Sequence, residues 1–73
     1  MKRVLSGVVT VTLKNGRVIR ASWVKDCRDV HVTCYDSEFY GSDSIDTSDF
    51  MVEIDAKSCL KQMIQDKGGK VED

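Results

Sequence analysis

Four side chains of the types that bind zinc occur in this sequence, namely Cys27, His31, Cys34 and Cys59. Three thiolates and one imidazole make a common structural zinc set. The spacing does not favour such a site, because there is no Cys-x-x-Cys pair. On a strand, moreover, His31 and Cys34 point to opposite faces. We therefore expect two buried thiols, one loop thiol and a surface histidine, with no metal and no cofactor.

Two further chemistries fit the sequence poorly. A cysteine nucleophile paired with His31 would also need a third group, a pocket and an oxyanion donor, which so short a chain rarely supplies. Asp43, Asp46 and Asp49 recur every three residues, whereas a calcium loop uses alternate positions, a central glycine and a terminal glutamate. We expect a protein that is not an enzyme.

The charges are segregated along the chain. Between Asp29 and Ala56 there is no lysine or arginine, although the net charge of the whole chain is only -1. The preceding stretch is basic, with Asp26 as its one acid. A surface patch of one sign attracts partners of the opposite sign. The acids of the segment are Asp29, Asp36, Glu38, Asp43, Asp46, Asp49, Glu53 and Asp55.

The acidic segment suggests a non-enzymatic adaptor or inhibitor that binds another protein with a basic surface. The acidic surface would lie within residues 36–55, with neighbouring aromatic rings as anchors. In its sharpest form the hypothesis is a phage or mobile-element anti-defence protein that mimics the charge of DNA, although no residue motif connects the chain to such a family. The predicted partner-binding residues are Asp36, Glu38, Phe39, Tyr40, Asp43, Asp46 and Asp49.

The alternative is a nucleic-acid-binding regulator that uses the basic first part of the chain. Clustered lysines and arginines can grip phosphates. We rank this function second, because the nearby carboxylates would repel nucleic acid. The residues that would form the phosphate-binding patch are Lys14, Arg17, Arg20, Lys25 and Arg28.

Length and composition predict one small soluble domain. A chain of 73 residues buries only about 60% of its unfolded surface, so its core is thin and self-association becomes a useful source of stability. No apolar run approaches the roughly 18 residues that a membrane span needs. The odd number of cysteines favours a reducing compartment, the cytoplasm.

The strongest structural signal is a β-hairpin. Residues 8–13 and 17–24 are rich in β-branched side chains and are separated by Asn15-Gly16. A three-residue loop with Gly16 in a left-handed conformation pairs Val11 with Ile19 and gathers the apolar residues on one face. That face would contain Val9, Val11, Leu13, Ile19, Ala21 and Trp23.

The remaining elements complete an α+β fold. We predict a third strand over 30–35, with Val30, Val32 and Cys34 on one face, and mostly loop over 36–49. A fourth strand is predicted over 50–54 with Phe50, Val52 and Ile54 inward. The last element is a helix capped by Asp55 that stops at Gly68-Gly69 and has an apolar stripe of Ala56, Cys59, Leu60, Met63 and Ile64. The predicted architecture is a small antiparallel sheet of three to four strands covered by one C-terminal helix. The domain spans residues 1–69, and residues 70–73 form a frayed tail.

Overall fold

The computed structural model describes residues 5–72 and has the α+β architecture predicted from the sequence. Four antiparallel strands form one sheet in the order β1-β2-β3-β4, followed by one helix. Within these residues, no helix is long and apolar enough to cross a bilayer. The elements are β1 (Leu5–Thr12), β2 (Val18–Asp26), β3 (Asp29–Cys34), β4 (Gly41–Asp46) and α1 (Val52–Asp66).

The register of the first hairpin is the predicted one. The N–H of Leu13 donates to the carbonyl of Arg17 at 2.8 Å, and the N–H of Gly16 donates to the carbonyl of Leu13 at 2.9 Å. Gly16 has φ 91°, which suits glycine because it has no Cβ. Val11 lies opposite Ile19, and Gly7 lies opposite Trp23.

One face of the sheet packs against α1, and the other face has no layer over it among the described residues. All six hairpin residues predicted to share a face are buried, as are the predicted inward residues of β3. The apolar stripe predicted for the helix is buried as well. The core consists of Val9, Val11, Leu13, Ile19, Ala21, Trp23, Val30, Val32, Cys34, Phe39, Val52, Ala56, Cys59, Leu60, Met63 and Ile64.

The fourth strand lies at Gly41–Asp46, inside the segment predicted to be mostly loop. The predicted strand over 50–54 is wrong. Val52 begins the helix and is buried, but the side chains of Phe50 and Ile54 are exposed. A weak strand former can complete a sheet because pairing depends on context more than on intrinsic propensity. At β4 the backbone pairing with β3 supplies that context.

The predicted C-terminal end of α1 is confirmed, but its predicted N-cap is not. The predicted N-cap is wrong, because Asp55 lies within the first turn and accepts a hydrogen bond from the Thr47 hydroxyl at 2.6 Å. The predicted stop is confirmed. Gly68 has φ 88°, and the N–H of Gly69 donates to the carbonyl of Ile64 at 2.9 Å, which is a glycine-terminated helix end.

Residues 70–72, which we expected to fray, lie beside the end of β1. The N–H of Lys14 donates to the carbonyl of Lys70 at 3.0 Å, and the N–H of Glu72 donates to the carbonyl of Thr12 at 2.9 Å. Val71 forms an antiparallel bridge with Leu13. Asp73 lies outside the described residues.

Gly7 leaves room for the indole ring of Trp23 on the neighbouring strand. A Cβ at position 7 would lie 2.8 Å from Cζ2 of Trp23. Gly7→Ala is therefore expected to lower the free energy of unfolding by about 1 to 3 kcal/mol, the usual cost of overpacking. Denaturant unfolding monitored by tryptophan fluorescence measures this effect. The exposed neighbour Ser6 provides the control, since Ser6→Ala should change the free energy little; equal losses in the two variants would contradict the packing argument.

Candidate functional site

The hairpin neutralises one part of the acidic segment. The guanidinium of Arg17 donates to Asp36 at 2.6 Å and to Glu38 at 2.5 Å. Asp36 also accepts a hydrogen bond from the backbone N–H of Glu38, which stabilises the turn that these residues form. These two carboxylates, both predicted to meet a partner, are therefore engaged within the molecule.

A second ion pair lies at the other end of β2. The ammonium of Lys25 is 3.1 Å from Asp49, and the lysine side chain is only 10% exposed. The same ammonium donates to the carbonyl of Cys27. Lys25 thus ties the β2–β3 turn to the segment that precedes α1, and it offsets part of the charge of Asp49.

Three carboxylates form a row across the end of the sheet. Asp26 lies opposite Asp29 in the pairing of β2 with β3, and Asp29 lies opposite Asp46 in the pairing of β3 with β4. A hydrogen bond with Asp46, together with desolvation and the charge of Asp46, raises the pKa of Asp29. Like charges placed directly opposite one another on a sheet are unfavourable. Negative charge is therefore concentrated at this end of the protein.

The predicted aromatic anchors have different environments. Phe39 is 2% exposed and belongs to the core, so its ring is not available to a partner. Tyr40 is 63% exposed and contacts Tyr35 edge to face, with ring centroids 6.3 Å apart. Asp43 is exposed on the helix-facing side of β4, where its charge adds to burial in raising the pKa of Cys59 to about 11.

The start of α1 presents three large apolar side chains that were not predicted as a site. Phe50 is 95% exposed, Ile54 is 59% exposed and Met51 is 45% exposed. Ile54 follows the buried Val52 by two positions, which is about 200° around a helix, so it points away from the core. The sequence contained one indication of this surface, because these apolar residues lie among the acidic residues Asp46, Asp49 and Glu53. We call these six residues, Asp46, Asp49, Phe50, Met51, Glu53 and Ile54, the helix-start surface.

The basic residues of the alternative function do not form one patch. Lys14 and Arg17 flank the first turn, whereas Lys25 and Arg28 lie at the far end of β2. A strand of nine residues separates them by about 27 Å. Arg17 and Lys25 are also engaged in ion pairs. Arg20 lies between the two groups and is exposed on the outer face of the sheet.

The zinc-type side chains are placed apart. Cys34 and Cys59 are buried and Cys27 is exposed in the β2–β3 turn, while His31 is exposed on the outer face of β3. This arrangement of thiols and imidazole is the predicted one. Among residues 5–72, no group of three or more histidine, cysteine or acidic side chains is placed to hold a metal ion.

Comparison with known proteins gives no relative: no family model, no curated protein and no solved structure matches this chain. The functional argument therefore depends on the side chains themselves.

The carboxylate row predicts a particular pH dependence. Because the pKa of Asp29 is raised in the folded state, folding strengthens proton binding, and the wild type gains stability as the pH falls through that pKa. The gain is complete below the ordinary value of 3.8. Asp29→Asn should therefore raise the midpoint of thermal unfolding near neutral pH, and this advantage should disappear in acid.

Thermal unfolding of both proteins between about pH 3 and about pH 7 tests this linkage. Asp46→Asn should give a similar gain, and the double variant should gain less than the sum of the two, because both changes relieve the same repulsion. Glu72→Gln, at the opposite edge of the sheet, serves as the control. A gain for Asp29→Asn that does not vary with pH would contradict the prediction.

The thiols should react in two classes. Cys27 is exposed and should react with a thiol reagent in the native protein. Burial suppresses the reactivity of Cys34 and Cys59, and the raised pKa of Cys59 lowers its thiolate fraction further. Labelling followed by mass spectrometry should find one fast site, and Cys27→Ser should remove it. Fast labelling of Cys59 in the folded protein would contradict the placement.

Proposed function

We propose that this protein is a non-enzymatic adaptor or inhibitor that binds another protein through the helix-start surface. The observation that carries the proposal is the exposure of Phe50, Met51 and Ile54 together. A chain with so thin a core gains stability from burying large apolar side chains, so leaving three adjacent ones in water is costly without a partner. Aromatic residues and methionine are enriched at protein interfaces.

The charges around these side chains indicate the chemistry of the partner. Within residues 5–72 the ion pairs of the acidic segment involve Asp36, Glu38 and Asp49 but not Asp46 or Glu53, and Asp49 keeps a largely exposed carboxylate beside Lys25. An acidic border around an apolar centre fits a partner with an apolar groove bordered by lysines and arginines. Such borders chiefly accelerate encounter, while the apolar centre slows dissociation.

The proposed acidic surface still lies within residues 36–55, but its centre is the helix-start surface. Asp36 and Glu38 are weaker candidates because Arg17 binds both carboxylates and offsets one of their two charges. Phe39 is a weaker candidate because it is buried. A DNA mimic needs a series of free negative charges, so the DNA-mimicking anti-defence form is less well supported than protein docking. Nothing in this surface needs a cofactor, and we place the protein in the cytoplasm.

The nucleic-acid alternative has one observation in its favour. Ala21 pairs with Cys34 at the end of β3, and their chain neighbours Arg20 and Tyr35 are both exposed. The ring of Tyr35 contacts that of Tyr40. Two exposed tyrosine rings in contact, with an exposed arginine on the adjacent strand, are residue types that bind single-stranded nucleic acid by stacking and charge. A gel shift at low salt, with Arg20→Ala as the variant, distinguishes this alternative from protein docking.

The principal experiment compares two double variants. Phe50→Ala with Ile54→Ala should weaken binding by about 30-fold or more, the effect of removing interface hot spots. The matched control is Val18→Ala with Val24→Ala, which removes exposed apolar side chains from the outer face of the sheet and should leave binding unchanged. The partner is isolated from the source cell by affinity capture, and the binding kinetics are then measured by surface plasmon resonance.

Charge reversal tests the acidic border separately. Asp46→Lys with Glu53→Lys should slow association, and added salt should reduce the association rate of the wild type but affect the reversed variant much less. Dissociation should change little. If the Phe50 and Ile54 variant binds the captured partner with the kinetics of the wild type, the helix-start surface is not the binding site.

A further inference from the structure

In the part of the chain that the structure describes, β1 is an edge strand of the sheet, and its side chains carry no charge. Its residues, Leu5–Thr12, are uncharged throughout, in a chain of which 32% of residues are charged. Proteins usually protect an exposed edge strand with charges, proline or a bulge, because its free backbone groups can pair with another strand. The opposite edge, β4, carries Asp43 and Asp46. Of the two edge strands described, β1 is therefore the one that combines open backbone groups with neutral side chains.

The hydrogen bonds of the hairpin identify which backbone groups of β1 are open. Residues of an antiparallel strand direct their N–H and C=O groups alternately to the two sides. Leu13 bonds to β2 through Arg17, so the odd-numbered residues of β1 face β2. Ser6, Val8, Thr10 and Thr12 accordingly direct their backbone groups outward.

The C-terminal tail already uses part of this edge. Its bonds involve the carbonyl of Thr12 and the N–H of Lys14, and its bridge is antiparallel. The end of this edge therefore already accepts an extended segment in an antiparallel bridge within the molecule. The tail covers only this end of β1, and the N–H and C=O groups of Ser6, Val8 and Thr10 have no strand beside them among the described residues.

We propose that this edge pairs with β1 of a second copy of the chain, antiparallel, around a two-fold axis at Val8. A two-fold contact requires each residue to lie on the same face as its partner, which holds when Val8 faces Val8 and Ser6 faces Thr10. Pairing centred on Val9 would place Ser6 opposite Thr12, whose carbonyl already accepts from Glu72, and would leave only about four bonds between open groups. The register at Val8 uses only open groups and forms about six backbone hydrogen bonds.

The side chains of the two identical strands are compatible with each other at this contact. Val8 is 58% exposed and would pack against Val8 of the second copy. Thr10 of each copy would lie opposite Ser6 of the other. No like charges oppose one another. The contact would join two four-stranded sheets along their β1 edges and leave both β4 edges free. A strand contact of this length is smaller than the roughly 1,200 Å² of a standard interface, so the association is weak and depends on concentration.

The test compares Val8→Lys with Val18→Lys. Both valines are exposed on the outer face, 58% and 56% respectively, but only Val8 lies on the edge strand. Sedimentation equilibrium from about 10 μM to about 1 mM should show a reversible dimer for the wild type and for Val18→Lys. Val8→Lys should weaken the dimer by about tenfold or more, because it opposes two positive charges. Circular dichroism confirms that both variants fold.

A charge-complementation experiment tests whether Val8 faces Val8 of the second copy, even if Val8→Lys weakens the dimer in some other way. Val8→Lys and Val8→Glu should each be monomeric alone, and an equimolar mixture should dimerise, because the two side chains face each other across the axis. Hydrogen exchange should show the amides of Val8 and Thr10 slowing as concentration rises. A wild type that stays monomeric, loss of the dimer in Val18→Lys but not in Val8→Lys, or a mixture that fails to associate would overturn the proposal.

Discussion

The fold depends on the register of the first hairpin, because that register decides which side of the sheet is apolar. The three-residue loop places Leu13 beside Arg17, and Gly16 takes the left-handed conformation that closes it. A slip of one residue would exchange the two faces of a strand. With the observed register, Val11 and Ile19 lie on the face that α1 covers, and the helix has a continuous apolar surface to pack against.

A single helix over a single sheet leaves much of the protein in contact with water. Sixteen of the described residues form the core, but large apolar side chains also remain outside it. Four of them illustrate two different physical causes. Val8 and Val18 are outward residues of a sheet that has only one covered face, whereas Phe50 and Ile54 are on the side of α1 opposite its buried stripe. Val8 lies on the β1 edge and is assigned to the contact with a second copy, whereas Val18 lies on the inner strand β2 and is not part of that contact. Phe50 and Ile54 lie beside carboxylates and are assigned to a different protein.

The segregated charges of the sequence meet one another in the folded protein. Arg17 from the hairpin binds Asp36 and Glu38, and Lys25 binds Asp49. Exposed ion pairs contribute little to stability, so their main effect is on the surface potential. They remove charge from the first part of the acidic segment and leave it near Asp46 and Glu53. The electrostatic character of the surface therefore results from the fold and differs from the pattern along the chain.

The sequence by itself determined the elements whose signals are local. The loop at Gly16, the alternation in β3 and the glycine stop after α1 each depend on a few neighbouring residues, and all three are present in the structure. Only the tertiary structure decided β4, because Gly41–Asp46 has weak strand propensity and is held by its pairing with β3. It also decided that Phe39 is buried and Phe50 exposed, since burial depends on where the helix and sheet meet. The same holds for the neutralisation of Asp36 by Arg17, because those residues are 19 positions apart in sequence and only the folded chain brings their charges together.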